Sequence, residues 1–260
     1  MLATSPVTAC SQLHQIHHRY PSGFVFTCDE MSIMPGSCTA IIGHNGAGKS
    51  TCFQLLTLNL DPQAGKVFFQ GQVASSKDYT CKQKIGYLPQ NTPLPDWVTA
   101  EDLLNYAADL HQLSQPQMTI RESMAYWDCT SYRQQPLMAC SHGMRKRVAL
   151  ALATLHQPEL LILDEPFSGL DIRHMKRLEE YITHRTQNGL STVLSSHIFY
   201  YIAKLCTADI WKIDQGKPEK LTTWRDIPTE EKISWLEQQI LAPTPAANHN
   251  ATSSSAVHSP

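Results

Sequence analysis

The sequence Thr39-Ala-Ile-Ile42 followed by Gly43-His-Asn-Gly-Ala-Gly-Lys-Ser50 constrains this chain more than any other part of it. The first four residues are short, apolar and β-branched, as in a buried strand, and Ser50 to Leu58 has helical spacing. A strand that feeds a glycine-rich turn and then a helix belongs to a layered α/β domain. The eight residues from Gly43 match the pattern G-x-x-x-x-G-K-[ST] in full. Glycines at 43, 46 and 48 let backbone N–H groups turn inward. The helix beginning near Lys49 aims its positive dipole end at the same point. Such a loop expects phosphate, with Lys49 on the β- and γ-phosphates and Ser50 on Mg2+. The loop alone leaves ATPases, GTPases and kinases open.

Further buried strands are expected at Val67 to Phe69, Ile85 to Leu88, Leu160 to Leu163, Thr192 to Ser195 and Ile210 to Ile213, with helices between several of them. This alternation predicts a largely parallel sheet. From Asn91 to Cys140 the strand signals vanish, and Glu101 to Leu113 and Met118 to Trp127 read as helices. The expected organisation is a nucleotide-binding core over 1–90 and 141–222, an inserted helical subdomain over 91–140, a C-terminal helix over 223–240 and a disordered tail over 241–260. The tail is a mixture of small, polar and Pro residues with too little apolar surface to order itself.

A formal net charge of -2 provides no field for nucleic acid, and no nucleic-acid partner is expected. No run of 18 apolar residues occurs, and the N-terminus has neither the basic start nor the apolar segment of a secretory signal, so a cytoplasmic location is the expectation. The eight cysteines contain no CxxC pair, which argues against zinc and dithiol redox chemistry. His17-His18 reads as a solvated pair.

Leu160-Leu-Ile-Leu-Asp-Glu165 is an apolar strand ending in two acids, which places them at the carboxyl edge of the sheet beside the phosphate loop. Asp164 is expected to reach Mg2+ through water, and Glu165 to orient and deprotonate an attacking water.

These strings, with Tyr87-Leu-Pro-Gln90, Asp164-Glu-Pro-Phe-Ser-Gly-Leu-Asp171 and Ser195-Ser-His197, resemble the ATP-binding-cassette family in the family's own order, from about Tyr20 to about Gly216. The resemblance implies a P-loop NTPase (RecA-like) core with a largely parallel sheet, N-terminal antiparallel β elements and the inserted α-helical subdomain. It also implies ATP and Mg2+ as ligands, bound by Gly43, His44, Asn45, Gly46, Ala47, Gly48, Lys49, Ser50 and Thr51. Tyr20 takes the adenine-stacking position, for which Phe24 and Phe26 compete. Gln90 senses Mg2+ and the γ-phosphate, and His197 contacts the γ-phosphate. Lys49, Gln90, Glu165 and His197 form the catalytic set; Ser50, Gln90 and Asp164 form the metal set.

The family signature Leu-Ser-Gly-Gly-Gln stands here as Cys140-Ser-His-Gly-Met144, retaining the serine and second glycine. By resemblance, Ser141 and Gly143 close over ATP on a second ATP-binding subunit, with Asp171 shaping the interface, so a head-to-tail homodimer is implied. Ser141 also reads as the N-cap of a helix whose stripe of Met144, Val148, Ala151, Leu152 and Leu155 is core. Arg145-Lys-Arg147 is similar to subunits serving type-2 export permeases, and reads equally as a solvated helix face. The implied function is an ATPase coupled to a separate integral-membrane permease, peripheral on the inner face of the membrane, with export favoured. The alternatives are a soluble non-transport cassette ATPase and a regulatory cassette with weak hydrolysis.

Overall fold

The computed structural model describes residues 8–241. Its elements in chain order are β1 (Ser11–Arg19), β2 (Val25–Ile33), β3 (Cys38–Ile42), α1 (Lys49–Leu56), β4 (Ala64–Phe69), β5 (Gln72–Ala74), α2 (Tyr79–Lys82) and β6 (Ile85–Leu88). They continue with α3 (Ala100–Leu110), α4 (Pro116–Tyr126), α5 (His142–Thr154), β7 (Leu160–Asp164), α6 (Ile172–Gln187), β8 (Ser191–Ser195), α7 (Phe199–Leu205), β9 (Ile210–Asp214), β10 (Lys217–Lys220) and α8 (Lys232–Leu241). The tail expected to be disordered lies, beyond Leu241, outside the described residues.

The central sheet has the order β10-β9-β3-β8-β7-β6, parallel throughout except for the antiparallel β9–β10 edge. Its central strands β3, β7 and β8 are buried along their whole length, and their side chains alternate between two cores. Ala40, Ile42, Leu161, Leu163 and Leu194 pack on the side carrying α5 to α8. Ile41, Leu160, Ile162 and Val193 pack with α1 on the side that faces the second sheet. That second sheet is antiparallel, in the order β2-β1-β4-β5.

Val67 to Phe69, read as one of the central strands, lies in β4 of the antiparallel sheet instead. A three-residue apolar run looks the same in either setting, and only its pairing partner separates them. Strand β1 hides its period for a different reason. Gln15 has a φ of 50° and the register with β4 shifts between His14 and His17, so the buried Leu13 and Ile16 stand three apart. A β-bulge of this kind breaks the alternation that marks a strand. Gly65 sits against the bulge, where a Cβ would lie 2.2 Å from the Gln15 carbonyl oxygen.

Residues 91–140 hold α3, α4 and two 3-10 turns, and an isolated bridge joins Thr99, just before α3, to Pro136, between the two turns. Thr99 starts α3 with a capping box: its hydroxyl oxygen accepts from Asp102 N at 3.1 Å, and Thr99 N donates to the Asp102 carboxylate at 3.2 Å. The buried Trp127 donates from Nε1 to Thr154 Oγ1 at 3.0 Å, which fastens this region to α5.

A second fastening is sensitive to acid. His111, at the end of α3, stacks on His156 beyond α5, with ring centroids 3.8 Å apart and planes 5° from parallel. Both Nδ1 atoms are buried without a hydrogen-bond partner. Burial, with smaller contributions from His111 and Arg185, pushes His156 down to about 4, and burial lowers His111 as well. Both rings are therefore neutral at pH 7. A histidine lowered from its ordinary 6.5 leaves stability complete above that pH, because only below it does the unfolded chain bind the extra proton. Stability is expected to fall as pH drops from 6.5 toward 4. Thermal unfolding of His156→Leu and the wild type at pH 7.5 and pH 5 should show a smaller acid loss in the variant, and equal losses would refute the assignment.

Candidate functional site: a phosphate cradle beside two acids

The chain leaves β3 through Gly43 at a φ of 154°, where a Cβ would lie 2.3 Å from the Ile213 carbonyl oxygen. Only glycine lets the loop pass this close to β9. The β9–β10 turn pins the loop again, since Gly216 N donates to Ala47 O at 2.8 Å. Gly48, at a φ of 114°, is the N-cap of α1 and turns its first amides toward the loop. Lys49 Nζ donates to the carbonyl oxygens of Gly43 at 2.6 Å and His44 at 3.1 Å. Burial lowers the Lys49 pKa, opposed by the charges of Glu165 and Asp164. The His44 ring bridges the Asn45 carbonyl at 2.8 Å and Asp214 Oδ1 at 2.9 Å, and these two bonds raise its pKa.

The acids stand at the carboxyl end of β7, where the parallel register pairs Asp164 with Ser195. Ser195 Oγ donates to Asp164 Oδ1 at 2.6 Å and accepts from Glu165 N at 3.0 Å. Glu165 takes a φ of 48°, unusual for a residue with a side chain. Its Oε2 accepts from His197 N at 3.1 Å, while Oε1 is buried without a hydrogen bond, 3.5 Å from His197 Nε2. A buried carboxylate oxygen left open beside a phosphate cradle is an acceptor waiting for a proton donor.

A cavity of about 440 Å³ brings Tyr20, Phe24, the phosphate loop, Gln90 and Asp164 together. Its lining includes His44, Asn45, Gly46, Gly48, Lys49, Ser50 and Thr51, but not Gly43 or Ala47. Thr51 Oγ1 donates to the Tyr20 hydroxyl at 3.4 Å, which in turn donates to Gln54 Oε1 at 3.3 Å. Tyr20 also receives the His18 ring at 4.8 Å, so His18 is packed where the sequence suggested a solvated pair. Glu165 and His197 lie outside the lining and connect to it through Ser195 and Asp164.

Ser141, Gly143 and Asp171 are not brought to this cavity. Ser141 and Gly143 lie at the start of α5, and Asp171 lies at the start of α6. Ser141 caps the helix, accepting from Met144 N at 3.2 Å. The His142 ring occupies the space beside Gly169, where a Cβ would lie 2.4 Å from His142 Cδ2, and a Cβ on Gly143 would come within 2.9 Å of Gly169 O. Asp171 caps α6 and accepts from His174 N at 3.0 Å and His174 Nδ1 at 2.8 Å, bonds that lower its pKa.

The reading of Arg145-Lys-Arg147 as a solvated face does not hold. Arg145 bonds to Asp96 at 2.6 Å, Arg147 bonds to the Asp128 carboxylate at 2.9 Å, and Lys146 is only 5% exposed. Lys146 Nζ donates to the backbone oxygen of Glu165 at 3.1 Å. Ser195 and Lys146 stand in quoted strings without a role of their own, and His174 stands in none. The serine alone was detectable, as a polar residue ending a strand beside the acid-terminated one.

The sequence profile of the ABC transporter family matches residues 28–168. The chain belongs to this family. It is 31% identical over 183 residues to the ABC transporter ATP-binding protein NatA of Bacillus subtilis, covering 69% of this chain and 74% of the relative. It is 28% identical over 218 residues to the linearmycin resistance ATP-binding protein LnrL of the same organism, covering 83% and 70%. The glucosylceramide transporter ABCA12 of Homo sapiens is 31% identical over 180 residues, covering 68% of this chain, which spans just 7% of that transporter's length. Among solved structures, an ATP-binding subunit of an ABC transporter superposes with a TM-score of 0.78 at 24% identity, covering 88% of this chain and 99% of that one. A dimeric ATP-binding cassette bound to ADP and Pi gives a TM-score of 0.72 at 19% identity, covering 81% and 98%. These likenesses establish the shared fold.

Proposed function

We propose that this family member binds ATP with Mg2+ in the cavity and hydrolyses it as one of two cassettes that close head to tail. In this reading it drives a separate integral-membrane permease from the inner face of the membrane, in the export direction. The observation that carries the proposal is the convergence of a glycine cradle, Lys49, Gln90, Asp164 and a buried open carboxylate at one sheet edge. Among the described residues no helix is long and apolar enough to cross a membrane. The relatives named as ATP-binding proteins and the type-2 character of the signature helix support the transport side of the proposal. We assign the core to 1–90 and 141–222, the helical subdomain to 91–140 and the C-terminal helix to 223–240.

The residues fit the ligands. Ser50 and Asp164, with Gln90, present oxygen atoms of the kind Mg2+ prefers, beside amides and an ammonium suited to phosphate. Bound Mg2+ would draw charge from the β- and γ-phosphates. Lys49 exchanges its loop carbonyls for phosphate oxygens, and the open Oε1 of Glu165 takes a proton from water. His197, its main chain already bonded to Glu165, supplies the γ-phosphate contact. Positioned donors of this kind are the main source of catalysis for a loose phosphoryl-transfer transition state. Ser141, Gly143 and Asp171 lie away from the cavity and are assigned to the second cassette's nucleotide. His142 is accommodated against Gly169, which favours an active signature.

Two measurements test the proposal. Phosphate release by the purified chain should require both ATP and Mg2+, and the Glu165→Gln variant should run at twice the monomer mass at saturating ATP. A strict monomer would refute the paired mechanism. Capture from gently solubilised native membranes should recover a polytopic membrane protein in stoichiometric amount, and repeated recovery of only soluble partners would refute the transport reading. Tyr20→Ala should weaken ATP binding by about 1–3 kcal/mol, the range for base stacking on an aromatic ring. Equilibrium titration with fluorescent ATP decides this, and an unchanged affinity would move the adenine contact to Phe24.

A further inference from the structure

We propose that Lys146 is a positioning residue for Glu165, and that through it the helix opening with Ser141 sets the base of this chain's own site. The inference rests on the ATPase reading above. Lys146 is 5% exposed, a rare situation for lysine, and it lies between two arginines that turn to other partners, Asp96 and Asp128. Its ammonium donates to the backbone oxygen of Glu165 at 3.1 Å, within the field of the Asp164 and Glu165 carboxylates.

That bond completes a clamp. Glu165 holds a left-handed φ of 48°, a conformation that a residue with a Cβ keeps only when its surroundings impose it. On one side Ser195 Oγ fixes Glu165 N at 3.0 Å, and on the other Glu165 O accepts from Lys146 Nζ at 3.1 Å and, over a longer 3.4 Å, from Ser168 N. With both backbone groups held, the side chain is directed to place Oε2 on His197 N and leave Oε1 open. Removing Lys146 takes away the shorter, charged bond and leaves Glu165 O only the 3.4 Å bond from Ser168 N, so the hold on the carboxylate's direction weakens.

The two ends of the link lie on one helix. Ser141 caps α5, and Lys146 follows within its second turn, about 8 Å along an axis that rises 1.5 Å per residue. A helix of this length moves as a rigid body. In the proposed dimer, Ser141 meets the nucleotide of the partner cassette while Lys146 holds the base of its own. Seating ATP at one site therefore orients the base at the other, and hydrolysis is cooperative.

The test compares Lys146→Met, which keeps the length and loses the donor and charge, with Lys146→Gln, which restores a donor. Replacing a buried charge by an apolar side chain of similar volume is often tolerated by the fold, and thermal unfolding of both variants checks this. Lys146→Met should lower kcat about tenfold or more, leave KM for ATP within about twofold and bring the Hill coefficient from near 2 to near 1. Lys146→Gln should recover most of the loss. Wild-type kcat and cooperativity in Lys146→Met would overturn the proposal. Amide hydrogen exchange over residues 165–168 without nucleotide gives a second readout, expected to quicken in Lys146→Met and recover in Lys146→Gln; unchanged exchange counts against the clamp. If the wild type hydrolyses no ATP, the ATPase reading fails, and the exchange data still decide whether Lys146 holds Glu165.

Discussion

Replacing Glu165 by Gln should leave ATP affinity within about twofold of the wild type and lower phosphate release about 100-fold or more, the usual range for losing a general base. Glu165 is 7% exposed and its carboxylate oxygens have unequal surroundings. Oε2 is engaged by His197 N at 3.1 Å, whereas Oε1 has no hydrogen bond. A glutamine carbonyl can take over the first contact, which leaves the amide nitrogen where the open oxygen stood. That nitrogen donates hydrogen bonds and accepts no proton. The shape of the site survives and its base is lost. Single-turnover phosphate release at saturating MgATP is the deciding measurement, and turnover within about threefold of the wild type would move the base to another group, with His197 the next candidate.

Lys49→Met should give the complementary result, a loss in binding. One charge-assisted hydrogen bond to phosphate contributes about 1.5–3 kcal/mol, so ATP affinity should fall about 10- to 100-fold. The effect has a second source in this molecule. Lys49 Nζ holds the carbonyls of Gly43 and His44 at 2.6 and 3.1 Å, so its loss also loosens the loop that presents the amides. Titration with fluorescent ATP, with and without Mg2+, reads both contributions. If affinity persists in Lys49→Met, the ammonium does not reach phosphate, and the cradle acts through its backbone alone.

The inserted region shows how far local pattern carries. Its helices were expected at Glu101 to Leu113 and Met118 to Trp127 and are found at Ala100–Leu110 and Pro116–Tyr126. The starts moved because Thr99 caps the first helix and Pro116 opens the second, both local signals. The fastening of this region to α5 by Trp127 and by the His111 and His156 stack could not be read in advance, since each pair is far apart in the chain.

The elements legible along the chain are those whose chemistry is contiguous. The phosphate loop after a buried strand, the acids at the end of β7 and the cap at Ser141 each need only neighbouring residues, because a turn, a strand end and a helix start are local objects. Long-range packing is what pairs β4 with the bulged β1, sets Ser195 on both Asp164 and Glu165, and buries Lys146 against the backbone of Glu165. These depend on strand order and on which face of α5 meets β7. Such contacts are selected by the packing of the whole core, and residues 19 or 31 positions apart have no local signal that could announce them.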